Sequence, residues 1–340
     1  MDNPILKLFD KNYVIDLFKK KVLPLYPDFK DIKDLEIRTP KKYIWEETYH
    51  VVAEFKTVFL TFDNKEKKLS IYCSAHSDEP RRNVYKALKY LWDNNFAHTK
   101  LTIPRPLFYS RHFQATFYRG VEGHNLYYYI RNHRKEEIEK IVEKTADWFA
   151  KLHGLETCPQ CNFNPLNSRI ETVIPGKKEI LGKIKNWYPE HFSFYEKYYN
   201  FFISREKDFF DNHQERWLIH GDAHPENIIK ISQDKIAVID FTDICLADFT
   251  RDLGCFLQQI DFMFRRKHLE EKYLAKIKEL FLDRYFKVKG LKRDNNIEDR
   301  IRNYYYWTAI RTATFFLIKD KAEPKRAAPL IREAEKNVKI

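Results

Sequence analysis

One stretch constrains this chain more than any other: His220-Gly221-Asp222-Ala223-His224-Pro225-Glu226-Asn227, followed by Val238-Ile239-Asp240-Phe241. Trp217-Leu218-Ile219 is an apolar run entering the loop, and Ile228-Ile229-Lys230-Ile231 reads as a short strand leaving it. Ser232-Gln233-Asp234 makes a turn, and Lys235 to Ile239 forms a second strand that delivers Asp240 at its end. Apolar strands flanking a polar loop hold Asp222, Asn227 and Asp240 rigidly, as positioning catalysis requires. One carboxylate can orient a hydroxyl and accept its proton. An amide oxygen and a second carboxylate are hard donors that suit Mg²⁺ better than His or Cys would. These are the groups needed to move a phosphoryl group from a nucleotide to an acceptor hydroxyl.

The pattern His-Gly-Asp-x-His-x-x-Asn with a later Ile-Asp-Phe resembles the aminoglycoside phosphotransferase and choline kinase-like family, relatives of the protein kinases. By that resemblance Asp222 is the catalytic base, Asn227 and Asp240 are Mg²⁺ ligands, His220 braces the loop, and His224 supports it from the other side. Arg251-Asp252-Leu253-Gly254 resembles the segment after the metal aspartate. Asp252 is expected to cap the next helix and to tie down the loop. Gly120-Val121-Glu122-Gly123-His124-Asn125-Leu126 resembles the linker after the hinge, and Ala146 to His153 a helix end ahead of the substrate region. His153 reads as a helix-end or core residue. Asp243 and Asp248 read as turn residues, Asp243 with a chance of helping the metal or substrate.

The resemblance implies an α+β, two-lobed, protein-kinase-like fold: a small antiparallel-sheet lobe over residues 1–119 and a larger, mainly helical lobe over 120–340, with a helical insertion at about 156–216. A short basic helix is expected over 11–22. Strands are expected at Tyr49–Phe55, Val58–Phe62 and Leu69–Ala75, a helix from about Pro80 to Asp93, and a strand ending at Tyr118-Arg119. The last should form the hinge, whose backbone meets the nucleotide base. Helices are expected at 135–155, 177–187, 192–212, 252–265, 269–287, 297–318 and 324–338.

The chain departs from the family in its amino-terminal half. The strand 69–75 lacks the lysine that pairs with nucleotide phosphates; Lys67 and Lys68 come too early, and Glu79 precedes the helix by a turn. Either Arg81 or Arg82 supplies positive charge from the helix start, where the dipole also favours anions, or the protein is a catalytically weak pseudokinase that binds nucleotide or polyanion. There is no Gly-x-Gly cluster. The resemblance thus implies transfer of the γ-phosphoryl group of ATP or GTP, with Mg²⁺, to a small hydroxyl-bearing substrate.

Composition bounds the rest. No apolar run is long enough to span a membrane, the first residues do not resemble a signal peptide, and five cysteines suit a reducing compartment, so a cytoplasmic protein is expected. Cys158-Pro159-Gln160-Cys161 lacks the second pair a zinc site needs and reads as a loop with two thiols. Of the net charge of +12, Arg265 to Lys339 carries 21 Lys and Arg against 11 Asp and Glu, a net +10. This basic segment is either a solvated helix face or a contact for an anionic partner: RNA, a membrane surface or a phosphorylated substrate. The segment 156–216 is neutral and rich in aromatics, which at helical spacing read as core. A neutral insertion and a basic carboxy-terminal half argue against a polycationic acceptor.

Overall fold

The computed structural model describes residues 3–79 and 81–340. Met1, Asp2 and Pro80, where the second helix was expected to begin, lie outside the described residues. The chain divides into two compact units, one of residues 1–123 with 231–242, the other of 124–230 with 243–340.

The first unit is built on a five-stranded antiparallel sheet. Helix α1 (Lys11–Lys21) precedes it, capped by Asp10, whose side chain accepts from Asn12 and Tyr13 N–H, with Lys19, Lys20 and Lys21 at the negative end of the dipole. Strands β1 (Phe29–Ile44), β2 (Tyr49–Thr61) and β3 (Glu66–His76) form a meander. Helix α2 (Arg82–Leu91) follows, then β4 (Leu101–Thr102), β5 (Arg105–Ser110) and β6 (Ala115–Arg119). The sheet order is β1-β2-β3-β6-β5. Separately, β4 pairs in parallel with the strand Ile236–Val238, register Ile236 to Leu101.

Alternation along β2 sorts the sheet into two faces. Val51, Ala53, Phe55 and Phe59 are buried and pack in one core with Ile5, Leu8, Val14 and Phe18 from the amino-terminal segment. Phe18 meets Phe55 edge-on, ring centroids 5.3 Å apart. His50, Val52, Glu54 and Lys56 point to the opposite, half-buried face. Cross-strand register puts Lys41 beside Val52, His50 beside His76, and Glu54 beside Tyr72, which faces Tyr118. That open face mixes polar groups with Val52, Tyr72 and Tyr118, while the other side takes the core.

Two expectations are corrected here. Tyr49–Phe55 and Val58–Phe62 are one strand, since Lys56 and Thr57 continue the alternation. The longest strand, β1, was not foreseen. Its register shifts at Phe29/Asp31, Ile32/Asp34 and Arg38/Lys41, and each extra residue breaks the period of two that marks a strand.

The second unit is mainly helical: α3 (Leu126–Arg131), α4 (Lys135–Leu152), α5 (Lys177–Trp187), α6 (Phe192–Asn212), α7 (Thr250–Arg265), α8 (Glu271–Lys289), α9 (Asn295–Ile318) and α10 (Pro324–Asn337). α7 is buried along nearly its whole length, as a central helix must be. Gly254 allows α9 to approach it: a Cβ there would lie 2.5 Å from the Ile301 carbonyl oxygen. The aromatics of the insertion are largely core, with Tyr195, Tyr199 and Phe202 buried, whereas Trp187 is exposed. Among the described residues no helix is long and apolar enough to cross a membrane.

Candidate active site

In the second unit, the strand Trp217–Ile219 pairs antiparallel with Cys245–Ala247, and the strand Ile228–Lys230 pairs with His124-Asn125. These two short ladders hold the ends of the loop 220–227. Its start is fixed by Asp252. The carboxylate accepts from His220 N–H at 2.7 Å and Gly221 N–H at 2.9 Å, and pairs with His153 Nε2 at 3.1 Å. Asp252 is fully buried. Burial opposes its ionisation, but the hydrogen bond from His153, together with His220 and the Gly221 N–H, holds the carboxyl below its ordinary range. His153 is pushed the other way, toward neutral, by burial. Its proton therefore sits on Nε2 toward Asp252, and Nδ1, 2.9 Å from the Tyr285 hydroxyl, accepts from it. Asp252 does not cap α7, which begins at Thr250. The loop's two orphan N–H groups take the place of the helix's own as its partners.

Gly221 turns the chain with φ +82°, and a Cβ there would be driven into the Asp243 carbonyl. The turn presents Asp222. His224 Nε2 lies 3.3 Å from Asp222 Oδ2, and His224 Nδ1 accepts from Glu226 N–H, which leaves Nε2 as the donor to Asp222. Asn227 Nδ2 donates to the Asp222 carbonyl at 3.0 Å and to Oδ2 at 3.4 Å. With its nitrogen so committed, Asn227 presents its amide oxygen elsewhere. Enclosure opposes ionisation of Asp222, yet His224, with Arg311 and His220 adding to it, holds the carboxyl well below the usual carboxylate range. His220 Nδ1 accepts from Asp222 N–H at 3.3 Å, and its buried ring meets Trp148 edge-on. Asp243 accepts from Asn167 Nδ2 at 2.7 Å and lies 3.9 Å from Arg311. Asp248 is buried and pairs with Arg300 at 2.8 Å.

Asp222 opens onto a cavity of about 510 Å³ in the same unit, lined by α7, α9 and the start of α10. The aromatic insertion contributes none of its lining.

In the first unit Asp240 follows the strand Ile236–Val238 in the left-handed region, φ +64°, which Asp tolerates better than most residues. Its Oδ1 accepts from the Thr242 hydroxyl at 2.7 Å. The charge of Asp240 reaches the open sheet face. It opposes the downward shift of Lys41, caused first by burial and then by Arg81, and that of His50, pushed down to about 4 by burial, Lys41, His76 and Arg81. It adds to the upward shift that burial gives Tyr118.

The structure separates the two candidate arginines. Arg81 flanks the start of α2 with 6% of its surface exposed, Nη1 3.3 Å from Glu79 and Nε without a hydrogen-bond partner. Arg82 is exposed. Tyr118 stacks on Tyr72, centroids 5.9 Å apart, while Arg119 is exposed at the end of β6. β6 is paired on both sides, so Tyr118 offers the open face its ring. Lys67 and Lys68 stand at the far end of β3 opposite Phe59 and Val58, with Lys68 roughly 26 Å from His76 along the strand. Lys41 was missed, because the bulges that hid β1 also hid which of Lys41 and Lys42 faces the open side. Lys42 lies over Phe9, 4.4 Å from the ring centroid.

The model of the phosphotransferase enzyme family matches residues 48–290. No curated protein sequence matches the chain. Solved structures similar to it include an ethanolamine kinase of Plasmodium vivax, 15% identical, TM-score 0.56, covering 88% of this chain and 81% of that one. A spectinomycin phosphotransferase in complex with ADP and spectinomycin is 13% identical, TM-score 0.56, with 95% and 94% covered. A choline kinase of Streptococcus pneumoniae is 14% identical, TM-score 0.54, with 95% and 98% covered. The fold is protein-kinase-like.

Proposed function

The chain belongs to the phosphotransferase enzyme family, and from that premise we propose that it is a small-molecule kinase. It would transfer the γ-phosphoryl group of ATP or GTP to an acceptor hydroxyl. The observation that carries this reading is the braced loop: Asp222 is held ionised by His224 and fixed by Asn227, above a cavity large enough for a small substrate. Both side-chain bonds land on Oδ2, which leaves Oδ1 to accept from the hydroxyl. A carboxylate of depressed pKa is a weak base, so Asp222 chiefly orients the hydroxyl and takes its proton late, as it becomes acidic on attack.

Asn227 and Asp240 are the residues that would hold Mg²⁺, which supplies charge neutralisation at the phosphates when bound. What supports this is the motif and each residue's own surroundings: an amide oxygen left over from its bond to Asp222, and a carboxylate turned out by a left-handed residue. Among the described residues no three His, Cys, Asp or Glu side chains form a metal cage. Mg²⁺ takes one or two protein oxygens and fills its shell with phosphate and water. Arg81 and Lys41 supply the phosphate-facing charge that β3 lacks, Arg82 and Arg119 only exposed charge at the margin, and Tyr118 a ring for the base.

The absence of a lysine from Leu69 to Ala75 of β3 favours a second reading, a pseudokinase that binds nucleotide or polyanion without turnover. The test is transfer of labelled phosphate from γ-labelled ATP or GTP to a panel of alcohols. Product formation that Asp222→Asn abolishes supports the kinase. Nucleotide binding with no transfer to any acceptor supports the second reading.

A further inference from the structure

The cavity at Asp222 has two chemically different walls. The loop wall carries His224 and two carboxylates, Asp222 and Glu226, the only acids in the lining. The helical wall carries Arg266, Arg311, Lys319 and Arg326 and no acid. These cations come from the end of α7, the middle of α9, the residue after α9 and the first turn of α10. Positions so scattered in sequence converge only through the packing of α7, α9 and α10.

Their neutralisation is incomplete. Glu323, outside the lining, pairs with Lys319 at 3.0 Å and with Arg326, so one carboxylate serves two cations. Among the described residues Arg326 Nε is buried without a hydrogen-bond partner. Arg311 reaches Asp243 only at 3.9 Å, and donates to the Ile174 carbonyl at 3.2 Å. Arg266 lies 5.4 Å from the Phe262 ring and forms no ion pair among the described residues. Beside these charges Phe315 is 58% exposed, with Lys319 5.5 Å from its ring centroid.

We infer that the acceptor is an anion: a hydroxyl compound bearing a phosphate or carboxylate group, gripped by Arg311, Lys319 and Arg326 while its hydroxyl meets Asp222. This rests on the kinase reading above. A cationic acceptor would meet like charge over the whole helical wall, and guanidinium groups match phosphate and carboxylate oxygens in a paired geometry. Phe315 gives the acceptor's carbon skeleton an apolar surface. The hydroxyl oxygen forms a bond to the γ-phosphorus, the bond from that phosphorus to the β-bridging oxygen breaks, the nucleoside diphosphate leaves, and the hydroxyl proton passes to Asp222 and then to solvent.

The experiment uses the full chain and four acceptors that share a skeleton but differ in charge: glucose, glucosamine, gluconate and glucose 6-phosphate. Release of nucleoside diphosphate is measured with Mg-ATP and Mg-GTP. Acceptor binding is measured separately by calorimetry with saturating Mg-ADP, so that it does not depend on turnover. The expected result is binding of gluconate or glucose 6-phosphate at least tenfold tighter than glucose, with glucosamine weakest. Arg311→Gln and Lys319→Gln each weaken that binding about tenfold and leave nucleotide affinity unchanged. Preference for glucosamine, no binding of either anion, or anion binding indifferent to both variants overturns the inference. Anion binding that the variants abolish, without phosphoryl transfer from either nucleotide, upholds the anionic pocket and overturns the kinase reading instead.

Discussion

The two units solve the problem of placing charge in opposite ways. In the second, the loop 220–227 is braced by its neighbours. Asp252 takes two N–H groups, His153 takes Asp252, and His224 and Asn227 take Asp222. In the first, Lys41, His50 and His76 crowd one sheet face beside the charge of Arg81; burial first and these like charges second lower the affinity of all three for protons, with Asp240 as a counter-charge to Lys41 and His50. The bracing of the loop is in place without a ligand and suits a group that must not move during the reaction. The sheet face of the first unit gains most when an anion arrives. A kinase needs both, a fixed group for the hydroxyl and an unsatisfied cationic surface for the phosphates.

The sharpest way to break this contrast is Asp222→Asn. Turnover should fall by about 10³-fold, the size of a lost general base, while nucleotide affinity holds. Steady-state kinetics and nucleotide calorimetry check both halves, and equal losses in each would mean that Asp222 serves the nucleotide.

Asp252→Ala tests whether the loop is braced as described. It strands two buried N–H groups and His153, and should cost about 3 kcal/mol of stability, read as a lower urea midpoint at unchanged slope. A loss within about 0.5 kcal/mol would place the brace elsewhere.

Arg81→Gln and Arg82→Gln probe the other region. Removing the buried Arg81 charge should weaken Mg-nucleotide binding about tenfold, an energy of about 1.4 kcal/mol, whereas Arg82→Gln should change it less than about twofold. Equal effects would deny the distinction that burial makes.

The smallest effect is on His50. Its pKa, about 4 in the free protein, should rise by about one unit when Mg-ATP brings negative charge to the face, as followed by ring-proton NMR. The depressed value has a sign for stability too. Below about pH 6.5 the unfolded chain binds a proton that the folded one refuses, so stability is lost as pH falls from there toward 4. His50→Gln should lose less stability over that window.

What could be read from sequence follows the range of the interactions involved. The loop 220–227 was legible because its chemistry, its strands and its turn are contiguous. β2 and β3 alternate cleanly, whereas β1 hides behind three register shifts, and with it Lys41. Asp252 was seen to lie near the loop, but its bonds to His220, Gly221 and His153 depend on how α4 and α7 pack. The cations at 266, 311, 319 and 326 look like ordinary charges on basic helices until three helices bring them to one wall. Neither Arg81 nor Arg82 stood out from the other, because only burial tells them apart.

A working nucleotide site, although β3 carries no lysine from Leu69 to Ala75, is what the kinase reading depends on. Thermal unfolding of wild type and Asp240→Ala, with and without millimolar Mg-ATP or Mg-GTP, tests it most directly. A ligand at about 100 times its Kd adds about 2.7 kcal/mol, so wild type should gain several degrees with at least one nucleotide and Asp240→Ala should gain almost none. No shift in wild type with either nucleotide would contradict the account.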